Sequence, residues 1–129
     1  MIAELAVNEQ VGFLAFSPLA AGILSGKYQG DRTPPGSRRN FLPDIGGRYT
    51  KHVIPVVDEY LRVARKHGLD PCQMALAFCL MRPFMTSAII GAAKQRQLEI
   101  TIAAAGMSLS SDVLDDINEV YRRHPNPMG

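Results

Sequence analysis

Tryptophan is absent from this chain, and only two cysteines occur among its 129 residues. That shortage excludes a disulfide-stapled secreted scaffold, which depends on several bridges. Cys72 and Cys79 lie seven positions apart in a stretch with a helical pattern. That spacing separates them by about two turns, beyond disulfide reach. They read as small buried hydrophobes in a reducing cytosol. Charge of one sign is also lacking: 14 Lys and Arg stand against 12 Asp and Glu, a net of +2. The basic residues come in short groups, Arg38-Arg39, Lys94 with Arg96, and Arg122-Arg123, with no stripe of interleaved aromatics, which argues against nucleic acid as a partner. No apolar run approaches the roughly 20 residues of a membrane helix. The opening "MIAELAVNEQ" has an early acid and no basic segment, so no secretory signal is expected and a cytoplasmic location is. His52, His67 and His124 stand near segment ends with no nucleophile or carboxylate in a recognisable arrangement, so neither a metal site nor a catalytic histidine is expected.

What is present is an ordinary globular composition, 47% hydrophobic and 20% charged, enough for one domain with a real core. "VGFLAF" (11–16) is a short continuous apolar run, the form of a strand buried on both faces of a parallel sheet. Residues 29–50 hold three prolines and four glycines and read as a long, mobile loop with few apolar anchors beyond Phe41 and Leu42. From His52 to Lys66, Val53, Val56, Val57, Tyr60, Leu61 and Ala64 recur at helical spacing, with Gly68 as the stop. Asp70 and Pro71 supply an N-cap and first helical residue for the next helix. "TSAII" (86–90) is a second buried strand, followed by a glycine-led turn into a helix ending near Gly106. Ser110 caps a last helix to about Arg122. The order is βαβα with a terminal addition, an α/β fold.

In parallel α/β folds ligands bind where strand carboxyl ends meet loops and helix N-termini. The first strand delivers Ser17, then Gly22 and Gly26, then Lys27; the second delivers Gly91 and Ala92 ahead of a helix. A hydroxyl, a lysine and small residues that admit a close approach suggest a pyrophosphate cradle. A Walker A loop is the rival, and "GILSGKY" fails it. Gly22 is four residues before Gly26 where five are needed, and Tyr28 replaces the magnesium-binding hydroxyl. The alternative is that these glycines only shape turns.

The segments "GFLAFSPLAAGILSGKY", "TPPGSR", "MALAFCLMRPFMTSAIIGA" and "QLEITIAA", in this order, resemble the carboxyl-terminal portion of aldo-keto reductases, particularly the branch with the Tas-like enzymes and potassium-channel β subunits. The resemblance implies an NADP(H)-dependent oxidoreductase on a (β/α)8 TIM barrel, reducing aldehydes or ketones. Residues 1–129 would then be a partial domain supplying strands seven and eight of an incomplete barrel. It further implies cofactor contacts from Ser17, Leu19, Ala20 and Gly22, phosphate-holding cations at Lys27 and Arg38, and an adenosine grip at Gly91 and Gln97. Ala93, Ile100 and Thr101 stand where relatives commonly carry polar adenine-side residues. The family's catalytic Asp, Tyr, Lys and His belong to the first half of the barrel, and Tyr28, Tyr49, Tyr60 and Tyr121 match no such position. The chain is therefore expected to bind a nicotinamide nucleotide weakly and to have no catalysis of its own. A small carbonyl substrate would be handled only with the rest of the barrel present. Two strands of eight leave open edges, so self-association is expected. The competing reading is a non-catalytic nucleotide- or protein-binding module derived from that fold.

Overall fold

The computed structural model describes residues 2–128, which form two short strands and five α-helices. The helix α1 (Ile2–Asn8) leads into β1 (Phe13–Phe16), a loop of short 3-10 turns follows, and α2 (Val53–Lys66), α3 (Pro71–Leu80), β2 (Met85–Ile89), α4 (Gln95–Ile102) and α5 (Ser111–Arg123) complete the order. β1 and β2 pair in parallel, with Leu14 opposite Ser87, Ala15 opposite Ala88 and Phe16 opposite Ile89. The register slips between Phe13 and Leu14, leaving Thr86 as the extra residue. The Thr86 hydroxyl fills that gap, accepting a 2.9 Å hydrogen bond from the Phe13 N–H.

The expectation of strands buried on both faces is corrected. Phe13 and Ala15 are half-buried, whereas Leu14, Phe16 and Ile89 are exposed. One face of the two-stranded sheet packs on α3, and among the described residues the other is left largely uncovered.

The helices form as their sequences dictate. α2 is amphipathic with two apolar stripes. Val56, Val63 and Ala64 join Met74 and Ala77 of α3, Leu109, and Val113, Ile117 and Val120 of α5 in one core. Val53, Val57 and Leu61, four residues apart, face a second core with Ile23, Tyr28 and Ile45 of the loop. α3 starts at an Asp70 cap, whose carboxylate accepts from the Cys72 and Gln73 N–H groups at 2.8 and 3.1 Å, with Pro71 first in the helix. It is apolar around most of its circumference because α2, α4, β2 and the first loop all pack on it. Cys72 and Cys79 are free thiols on this helix, half-buried. Burial pushes Cys72 up to about 11 and Cys79 upward as well, so both are poor nucleophiles. α4 ends at Ile102, short of the expected stop near Gly106, and turns carry the chain onward. No described helix is long and apolar enough to cross a membrane.

α2 and α5 run antiparallel and are clasped at both ends by histidines. His67 Nε2 lies 2.6 Å from Asp116 Oδ2, which also takes Lys66 Nζ at 2.7 Å. At the other end Glu59 meets Arg123 at 2.8 Å and His124 at 3.1 Å. Neither carboxylate partner is legible from the sequence, because they sit 49 and 65 positions away. Hydrogen bonds from Lys66 and His67 hold the Asp116 carboxyl below its ordinary value near 3.8. A depressed carboxyl stabilises the fold above its unfolded value and loses that contribution as pH falls through the folded value. Asp116→Asn is therefore expected to lower the urea midpoint at pH 7 and to leave it unchanged at a pH acid enough to protonate Asp116. An equal deficit at both pH values would refute the clasp.

Candidate functional site

Because Phe16 pairs with Ile89, Ser17 and Ile90 leave the same end of the sheet side by side. The two loops that the sequence suggests as a pyrophosphate cradle therefore emerge together. In the first, the Ser17 backbone is left-handed at φ 64°, its carbonyl accepts from the Ala20 N–H, and its hydroxyl accepts from the Ala21 N–H, both at 2.9 Å. Leu19 offers its carbonyl to the Gly22 and Leu24 N–H groups at 2.9 and 3.2 Å. Ala20, Ala21 and Gly22 follow with φ of 48°, 57° and 92°, three left-handed residues in succession, two of them carrying a Cβ. Such strain, of order 1–3 kcal/mol per residue, persists where surrounding contacts impose it and clusters at ligand-binding loops.

Gly22 shows what the strap is shaped around. A Cβ there would lie 2.8 Å from Lys27 Nζ, so the ammonium rests directly over the bare Cα. The same ammonium stands 5.0 Å from the centre of the Tyr28 ring. Ser25 locks the turn between them, donating to the Gly22 carbonyl at 2.7 Å and accepting from the Lys27 N–H at 3.4 Å. Ser17, Leu19, Ala20, Gly22 and Lys27 thus form one continuous strap, secured to α2 through buried Ile23.

The second loop is simpler. Gly91 is exposed, and Gln97 turns its side-chain oxygen back to accept from the Ala93 and Lys94 N–H groups at 2.9 and 3.3 Å, fixing the start of α4. Beside it lies an open depression of about 270 Å³ lined by Ile90, Ala92, Ala93, Lys94, Gln95 and Leu98. Thr101 is buried, its hydroxyl donating to the Gln97 and Leu98 carbonyls at 3.0 and 2.9 Å, so it presents no polar group to this depression.

Arg38 is exposed in the 3-10 turn Arg38–Asn40. Among the described residues, no hydrogen bond or ion pair joins Arg38, Gly91 or Gln97 to Ser17 or Lys27. The loop of residues 29–50 is anchored otherwise than the sequence suggested. Phe41 is 84% exposed, and the anchors are Ile45, Tyr49 and Arg39, none of which stood out in a polar, turn-rich segment. Burial pushes the Tyr49 phenol upward, the neighbouring Arg39 guanidinium opposing the shift. Among the described residues, no group of three or more His, Cys, Asp or Glu could hold a metal ion.

Parallel strands ending in a strained, small-residue strap, with a lysine folded over a glycine and a helix start beside it, define an α/β protein whose candidate site lies in the loops at the strand carboxyl ends. The model of the aldo/keto reductase family matches residues 1–122. The chain is 37% identical over 126 residues to Protein tas of Escherichia coli (strain K12), covering 98% of this chain and 36% of that protein. It is 33% identical over 126 residues to an aldo-keto reductase of Babesia bovis, covering 94% and 44%. It is 30% identical over 123 residues to a probable voltage-gated potassium channel subunit beta of Arabidopsis thaliana, covering 92% and 38%. The chain belongs to the aldo/keto reductase family. It spans between 36% and 44% of the length of these relatives.

Proposed function

We propose that this chain is the cofactor-holding, carboxyl-terminal portion of an NADP(H)-dependent aldo-keto reductase, contributing the last two strands of a (β/α)8 barrel and no member of the catalytic tetrad. The observation that carries this reading is Lys27 poised over Gly22 within the strap that begins at Ser17. The residues fit a pyrophosphate. The Ser17 oxygen is already engaged by the Ala21 N–H, and its proton remains free to donate to a phosphate oxygen. Lys27 rests over Gly22 and the Tyr28 ring, and among the described residues no ion pair to a carboxylate neutralises it or Arg38. Cations without a carboxylate partner attract phosphate, and the bare Cα of Gly22 leaves the room in which the Lys27 ammonium sits. NADPH, when bound, supplies the hydride for reducing an aldehyde or ketone. The residues here bind and orient it, and the groups that transfer a proton to the carbonyl come from the remainder of the barrel. A reducing, cytoplasmic setting suits the two free thiols.

Titration calorimetry with NADPH tests this. Without the nicotinamide half of the site, affinity should lie in the high micromolar range or weaker (on the order of 5 kcal/mol). It should fall with salt, since exposed charges are screened over about 8 Å at physiological ionic strength. Lys27→Ala and Arg38→Ala should each weaken binding and flatten the salt dependence, and no carbonyl-dependent NADPH oxidation should occur. Tight, salt-insensitive binding, or any turnover by the chain alone, would overturn the proposal.

A further inference from the structure

Arg38 and Arg39 are neighbours in one turn with opposite environments. Arg38 is exposed, whereas the Arg39 side chain is only 12% exposed and is bonded on every side. Its Nε donates to the Pro43 carbonyl at 3.1 Å, its Nη1 to the Arg32 carbonyl at 2.9 Å, and its Nη2 pairs with Asp31 at 2.9 Å. Its guanidinium also stacks 4.3 Å from the Tyr49 ring centre and lies 5.8 Å from that of Tyr28. The two rings meet edge to face at 5.7 Å, and the Tyr49 hydroxyl donates to the Tyr28 carbonyl at 2.8 Å. Asn40 closes the turn from its other side, donating to the Pro34 and Ser37 carbonyls at 2.7 and 3.1 Å.

We propose that Arg39 is a positioning residue that couples the two ligand-facing cations, holding Arg38 outward through their shared turn and Lys27 in place through the Tyr28 ring. This rests on the cofactor reading above for what the cations bind, but the clamp itself is a property of the free chain. The geometry is specific to a guanidinium. Its planar fork reaches three separate stretches of loop while its face remains free to stack. The Arg39 guanidinium and the Lys27 ammonium both lie over the Tyr28 ring, at 5.8 and 5.0 Å from its centre, so a loop that loses Arg39 releases both cations together.

Hydrogen exchange on the free chain and NADPH titration, run on the same variants, test the clamp. Arg39→Ala should speed amide exchange across residues 29–50 several-fold while α3 and α5 keep their protection, and it should weaken NADPH binding about tenfold, the scale of one charged hydrogen bond. Arg39→Lys should not rescue either property. In an Arg38→Ala, Lys27→Ala background the further change Arg39→Ala should cost less than about twofold in affinity, because the groups it positions are gone. Unchanged exchange in Arg39→Ala would overturn the clamp, as would an undiminished loss of affinity in the doubly substituted background. If the parent chain fails to bind NADPH at all, the cofactor reading falls, and exchange across residues 29–50 alone decides whether the clamp exists.

Discussion

In size-exclusion chromatography with light scattering, the purified chain is expected to elute as a concentration-dependent oligomer above its 14.1 kDa monomer mass. The cause is the open sheet. Both outer strand edges carry unpaired backbone groups, which template pairing with another chain. On the uncovered face Leu14, Phe16 and Ile89 are 60%, 77% and 52% exposed, and they lie together because Leu14 and Phe16 alternate to one side while Ile89 pairs with Phe16. Separately, α1 exposes Ile2, Leu5 and Val7, all by more than half, and buries no residue of its own. An apolar patch of this kind marks an interaction surface or an aggregation site. Covering a Leu or Phe side chain contributes about 1.5–3 kcal/mol, so Leu14→Lys with Phe16→Lys should weaken association by more than about a hundredfold. A sharp monomer at every concentration for the unaltered chain would contradict this.

The helices were legible because their signals are local. The Val53, Val57 and Leu61 spacing on α2, the Asp70-Pro71 start of α3 and the Ser110 cap of α5, which accepts from the Val113 N–H at 3.4 Å, are each decided within a few residues. Strand burial was not legible, since it depends on neighbours rather than on the strand. "VGFLAF" has the composition of a strand covered on both faces, yet a composition cannot supply the second cover. The early end of α4 is not legible for a different reason: Ala103, Ala104 and Ala105 are helix formers, and no residue before Gly106 announces a stop.

The candidate site divides in the same way. Gly22 and Lys27 are close in sequence and could be paired from spacing alone, and the structure places the lysine over the glycine. Arg38 and Arg39 are chemically identical in the sequence. What separates them is contact with Asp31, Arg32, Pro43 and Tyr49, residues that come together only when the loop folds back on itself. Gln97 carries a third kind of ambiguity, because a residue matched to a ligand contact is here also the one that fixes the start of its own helix.

Ile23→Ala is expected to lower the melting temperature by roughly 10 °C or more and to loosen the strap before the helices melt. Ile23 is 1% exposed and sits between Gly22 and Leu24, inside the segment that would meet the ligand. Its side chain joins Val53, Val57 and Leu61 of α2 with Tyr28 and Ile45, so it secures the strained strap to the helix behind it. Gly26 tightens the same joint, with so little space that a Cβ would lie 3.2 Å from a Leu61 methyl. Truncating a buried isoleucine to alanine costs about 2–5 kcal/mol, a large share of the ~5–15 kcal/mol that holds a domain folded. Ile23→Val, which removes one methyl, should cost about 0.5–1.5 kcal/mol and keep the strap. Because Ala20, Ala21 and Gly22 are held left-handed by their surroundings, losing the anchor should release them first. Amide exchange at residues 19–25 should therefore rise in Ile23→Ala at temperatures where α2, α3 and α5 remain protected. Leu98→Ala, at a site 44% exposed, serves as the surface control. If Ile23→Ala melts within about 2 °C of the parent while the control does the same, the strap is not anchored through Ile23 and its strain must be held by the loop's own hydrogen bonds.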